Sequence, residues 1–121
     1  MSLEGEERSL AAKKKAMSLL EQQDRSEAGL RERLHRAGFS QEEAEDAILY
    51  VKGYGYLNDE RFAENFIRAH IQTRSRQWIL QSLSDKGVDR EISQEAYQTV
   101  AADEELDEEA LIRKAIQKRC P

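Results

Sequence analysis

The chain has 121 residues with one Pro, six Gly and 36% charged side chains, a length that suits one compact domain or a few small stacked repeats. No apolar run approaches the ~18 residues of a membrane span, and the single thiol, Cys120, excludes an intramolecular disulfide and a multi-thiolate zinc site. The formal charge of −5 argues against wholesale coating of nucleic acid, although residues 61–90 hold six Arg or Lys against three acids and residues 91–109 hold eight acids and no base. Abundant Ala, Glu, Leu, Arg and Gln favour helix nearly everywhere, so the expected class is all-α, in a cytoplasmic protein with no membrane contact and a monomeric state.

Taken in order, residues 1–7 read as an appended, disordered lead. The spacing then predicts helices at 7–22, 26–37, 41–53, 59–72, 76–86, 90–101 and 105–119. Ser26 caps a helix that carries Leu30 and Leu34 one turn apart and ends at Gly38, the residue that most easily turns left-handed, with Phe39 folding back behind it. Ser40-Gln41-Glu42-Glu43 is a capping box opening a helix with the apolar stripe Ala44, Ala47, Ile48 and Val51. After Gly53, Asn58 caps the next helix, whose core face is expected to be Phe62, Phe66 and Ala69. Ser75, the stop Gly87-Val88 and the cap Asp89 repeat that grammar before Ile92, Ala96 and Val100.

This recurrence is a sequence repeat. Sliding the chain by 49 residues aligns Ser26 with Ser75, Leu30 with Ile79, Leu34 with Leu83, Gly38 with Gly87, Phe39 with Val88, Ala47 with Ala96 and Val51 with Val100. The register continues through Leu57 and Leu106, Phe62 and Leu111, and Ile67 and Ile116. The expected architecture is a curved, elongated row of tandem three-helix repeats: 8–54, 55–102, and the first helix of an incomplete third unit at 103–121. Leu34, Phe39, Ile48 and Val51 should form one core, Leu83, Val88, Ala96 and Val100 the next, with Tyr56, Leu57 and Phe62 packed between units.

The string Gly55-Tyr56-Leu57-Asn58-Asp59-Glu60-Arg61-Phe62-Ala63, preceded by Arg25-Ser26-Glu27 and followed by Lys86-Gly87-Val88, resembles the RecX family over residues ~10–119. The resemblance implies three-helix repeats and a regulatory protein without enzymatic activity. It also implies binding along the RecA recombinase filament, restraint of ATP hydrolysis and strand exchange in recombination and DNA repair, and single-stranded DNA within the filament as a further contact.

For the contact surface, Arg61, Asn65, Arg68 and Gln72 are spaced i, i+4, i+7, i+11 and form one polar stripe opposite Phe62 and Phe66. Arg74, Arg76 and Lys86 flank it, and arginine suits bidentate recognition of carboxylate or phosphate. These seven residues are the candidate partner-binding set; the plainer alternative for the stripe is a solvated helix face. On this reading the pair Arg61→Glu with Arg68→Glu should bind far less while folding normally. Trp78 is expected in the core. His35, His70 and Cys120 lack ligand spacing, and Glu42, Glu43, Glu45 and Asp46 dress a first helical turn with no nucleophile or phosphate loop beside them, so no metal, cofactor or catalytic site is expected. Two rivals remain: a DNA-reading module and a scaffold for another protein. The helices around Gly38 resemble a helix-turn-helix, but its second helix opens on acids that phosphate would repel.

Overall fold

A computed structural model describes the backbone of residues 3–119 and the side chains of residues 5–105. It contains α1 (Leu3–Gln22), α2 (Glu27–Arg36), α3 (Gln41–Gly53), α4 (Asp59–His70), α5 (Arg76–Asp85) and α6 (Arg90–Arg119), with no strand among the described residues. The turns are built as the residue types dictate. Ser26, Ser40, Asn58 and Ser75 cap α2 to α5 through their side-chain oxygens, Ser40 in a full capping box with Glu43. Gly38 and Gly87 end α2 and α5 at φ +96° and +82°, and the amides of Phe39 and Val88 reach back to Leu34 and Leu83.

Each trio of helices closes its own core. α1 lies along α3 with α2 across them, burying Ala12, Ala16, Leu19, Leu30, Leu34, Ala47, Ile48, Val51 and Leu57. α4 lies along α6 with α5 beside them, burying Phe62, Ala63, Ile67, Ile79, Leu83, Val88, Ala96 and Val100. Phe39 packs half-buried on the first core. The tandem three-helix reading is therefore correct.

Several details differ from the expectation. Helix begins at Leu3, inside the segment 1–7. Ala69 is exposed, and the buried face of α4 is instead Phe62, Ala63 and Ile67. Tyr56 is exposed, Leu57 belongs to the first core and Phe62 to the second, so these three do not form a shared interunit layer. The expected break near residue 102 is absent, because the positions matching Gly53 and Gly55 are Ala102 and Glu104, both helix formers, and α6 runs unbroken for 30 residues. The side chains of Leu106, Leu111 and Ile116, and all of Cys120, lie outside the described residues.

The joint between units is narrow and polar. Ser26 Oγ donates to the Lys86 carbonyl oxygen at 2.7 Å while accepting from Gly29 N, and Glu27 N donates to Asp59 Oδ1 at 2.7 Å. Burial at this seam pushes the Asp59 carboxyl above its usual range. Gly87 rests against Ala28 so closely that a Cβ on Gly87 would overlap the Ala28 methyl.

One buried group is out of place. Ser93 Oγ is buried with no hydrogen-bond partner among the described residues, at the position where the first repeat has the buried Ala44. Ser93→Ala removes an unsatisfied hydroxyl and improves helix propensity, so it is expected to raise stability by about 1 kcal/mol. Urea unfolding of the two proteins measures this directly; a loss of stability would mean that the hydroxyl is satisfied in solution.

Candidate interaction site

Three residues of the predicted stripe, Arg61, Asn65 and Arg68, lie on α4 as spaced, whereas the helix ends at His70 and leaves Gln72 in the following turn; all four are exposed, but their polar atoms are engaged by the chain itself. Arg61 donates to the carbonyl oxygens of Gly55 (3.0 Å) and Tyr56 (3.2 Å), tying the loop that leaves α3 to the start of α4. Asn65 donates to Asp24 across the interunit seam. Arg68 pairs with Asp103 at 2.8 Å and Gln72 donates to Glu104 at 3.2 Å, both acids lying on α6. The hydrogen bond to Asp103 raises the Arg68 pKa further. The acidic segment therefore covers the lower half of the stripe. Arg61→Glu with Arg68→Glu would break a loop tie and place a third acid beside Asp103 and Glu104, so unaltered folding is no longer the expectation for that pair.

Arg74, Arg76 and Lys86 are disposed differently, each over an aromatic ring. Arg74 Cζ lies 4.7 Å from the Trp78 ring centre, Arg76 Cζ 5.3 Å from Tyr97, and Lys86 Nζ 5.7 Å from Phe66. Trp78 is not in the core: it is 39% exposed. Its ring is parallel to Phe66 within 11° at 6.2 Å and 5.3 Å from His70, while His70 is 4.3 Å from Phe66. The result is a ridge in which the three rings of Phe66, His70 and Trp78 lie between Lys86 and Arg74.

The elements explain how it forms. Phe66 and His70 stand one turn apart on α4, on the flank beside the stripe. The turn after α4, closed by Thr73 N and Arg74 N on the His70 carbonyl oxygen, presents Arg74. Ser75 then caps α5 by accepting from Trp78 N at 3.1 Å, which holds Trp78 in the first turn above Phe66. That turn has Arg76 and no acid, against the usual preference of the helix dipole. Arg76 and Arg90 both line a groove between α5 and α6, together with Gln77, Leu80, Gln81 and Gln94.

The seven candidate residues thus split into two sets. Arg61, Asn65, Arg68 and Gln72 serve contacts within the chain, whereas Arg74 and Lys86 flank the rings of Trp78 and Phe66 and Arg76 lies apart from them over Tyr97. Sequence reasoning missed Phe66 and His70 as surface partners of Trp78. Their i, i+4 spacing was visible, but nothing in it shows that α5 brings Trp78 alongside.

Two family models match the chain, the first three-helix domain of RecX over residues 12–50 and the second over residues 58–96. The chain belongs to the RecX family. It is similar to the regulatory protein RecX of Caldanaerobacter subterraneus, 32% identical over 109 residues that cover 89% of this chain and 54% of the relative. The RecX of Amycolatopsis mediterranei is 34% identical over 94% of this chain and 65% of its own length, and that of Clostridium perfringens strain 13 is 29% identical over 84% and 48%. The chain thus spans about half the length of several of its curated RecX relatives. The crystal structure of RecX from Lactobacillus salivarius shares the fold, with a TM-score of 0.71 at 22% identity over 74% of this chain and 60% of that one. The two RecX domain matches fall one on each three-helix unit. No described helix of this RecX-family chain is long and apolar enough to cross a membrane.

Proposed function

We propose that this chain binds the RecA nucleoprotein filament and restrains it, slowing ATP hydrolysis and strand exchange, as a cytoplasmic monomer with no catalytic step of its own. Membership of a family of regulatory proteins supports the reading, and the observation that carries it on this chain is the cation and aromatic ridge. Exposed Trp and Arg are the residue types that dominate binding energy at interfaces, and Arg and Lys held over rings present fixed positive charge to an anionic partner. The contact falls chiefly on Arg74, Arg76 and Lys86, with Arg61, Asn65, Arg68 and Gln72 flanking it. A nucleoprotein filament offers both acidic protein surface and single-stranded DNA to such a ridge.

Titrating the chain into RecA with single-stranded DNA and ATP tests the reading. ATP turnover should fall in a dose-dependent way, and strand exchange should slow over the same range. No response from this chain or from a version extended to the full length of its relatives would leave a scaffold for some other partner as the better account.

A further inference from the structure

Among the described residues, all the exposed large apolar side chains except Trp78 lie on the first unit or the turn that leaves it. Leu10, Leu49, Tyr50, Tyr54 and Tyr56 are all exposed, Leu49 at 67% and Tyr54 at 65%. The tyrosines form a continuous ladder: the rings of Tyr50 and Tyr54 are 5.1 Å apart edge to face, and those of Tyr54 and Tyr56 are 6.0 Å apart and stacked. Lys13 Nζ sits 5.2 Å from the Tyr50 ring centre. Beside the ladder runs an open groove of about 450 Å³ between α1 and α3, with Leu10, Met17 and Tyr50 as its apolar lining and Lys13 and Lys14 on its α1 wall.

The repeat supplies an internal control for what this surface is for. At the 49-residue offset, Leu49, Tyr50, Tyr54 and Tyr56 correspond to Gln98, Thr99, Asp103 and Glu105. The second unit folds with Gln98 and Thr99 on α6 where the first has Leu49 and Tyr50 on α3, so a three-helix unit has no need of apolar residues at those two places, while Asp103 and Glu105 lie within the unbroken α6 and Tyr54 and Tyr56 in the turn after α3. None of the four belongs to the first core. Exposing such a patch lowers solubility without stabilising the fold, and tyrosine is among the residues most enriched where proteins meet.

We infer that the tyrosine ladder and its groove are a second docking surface, which seats a protein segment carrying apolar side chains flanked by acids. The charge of the groove selects that partner: Lys13 and Lys14 line it against the single acid Glu21. Nucleic acid is the poorer fit, since the groove beside the ladder is lined by the aliphatic Leu10 and Met17, which apolar protein side chains fill and bases do not stack on. The inference rests on the filament reading and deepens it. The ridge takes one part of the nucleoprotein filament and the ladder takes the recombinase protein, so two modest contacts reinforce each other on one partner.

The test uses the full chain and RecA filaments on single-stranded DNA, with binding followed by co-sedimentation or anisotropy. One variant carries Leu49→Gln, Tyr50→Thr, Tyr54→Asp and Tyr56→Glu, the residues of the second repeat. A milder one carries Tyr50→Thr with Tyr54→Ser, and a third Lys13→Gln with Lys14→Gln. Helicity and melting temperature should stay near wild type in the mild variant even if the fourfold variant folds poorly. Filament affinity is expected to drop at least about tenfold in the fourfold variant, severalfold in the mild one, and in the lysine variant by an amount that shrinks as salt rises. Undiminished filament binding by a folded mild or fourfold variant overturns the inference and leaves the filament reading standing. No binding by wild type overturns that reading and this surface assignment with it. If the variants lose affinity for free single-stranded DNA in parallel, the ladder is a base-stacking surface and the protein-docking inference falls.

Discussion

Gly87→Ala is expected to destabilise the chain by about 2–5 kcal/mol, against about 1–2 kcal/mol for Gly38→Ala, although both glycines end a helix in the same way. At φ +96° and +82° each would impose left-handed strain on an alanine. Only Gly87 has a neighbour in the way. Nothing lies within 4 Å of a Cβ built on Gly38, whereas one on Gly87 overlaps the Ala28 methyl, and the strain falls on the seam where Ser26 Oγ bonds the Lys86 carbonyl. In a small chain that is a large share of the net stability. Ala28→Gly in the Gly87→Ala background should recover much of the excess loss by removing the obstructing methyl, and a double-mutant cycle in urea isolates that coupling. Equal losses at the two glycines, or no coupling between positions 28 and 87, would show that the units do not meet through this contact.

Much of this fold is legible before any coordinates, and the reasons are local. A serine followed by helical spacing and closed by Gly-Phe or Gly-Val specifies both ends of α2 and α5, and the 49-residue register tells which apolar residues share a core. The seam itself is readable only in part. Lys86-Gly87 marks a stop, but that Ala28 lies beneath it depends on how the units dock, and residues about 60 apart must be placed in space to see it. Helix α6 misled for a different reason: the offset aligns Ala102 and Glu104 with Gly53 and Gly55, and the missing glycines were the signal that no break occurs. On α4, spacing showed which side chains share a face and nothing of what lies opposite. Asp103 and Glu104 reach Arg68 and Gln72 from more than 30 residues downstream, which turns an apparently open stripe into an internal contact. The ridge escaped notice because its rings come from two helices, each carrying too few to stand out alone.

Charge reversal on the ridge should have the largest effect on function. Arg74→Glu with Lys86→Glu is expected to lower affinity for the RecA filament at low salt by on the order of tenfold or more, while leaving the helices intact. Both side chains are exposed, neither takes part in an ion pair among the described residues, and the seam uses only the backbone carbonyl of Lys86. The wild-type advantage should shrink as salt screens the contact. Arg68→Glu makes the counterpart: its charge faces Asp103 and Glu104, so melting temperature should fall while filament binding changes less than in the ridge pair. Trp78 supplies an independent readout, since it is the only tryptophan in the chain and sits between Arg74 and Phe66. Adding a single-stranded oligonucleotide, which has no tryptophan of its own, should quench its emission if bases stack there. With RecA present, the difference between wild type and Trp78→Phe isolates the same signal. Full affinity in the ridge pair together with Trp78 emission unchanged by the filament would remove the ridge from the interface, leaving the tyrosine ladder of the first unit as the surface through which this chain meets its partner.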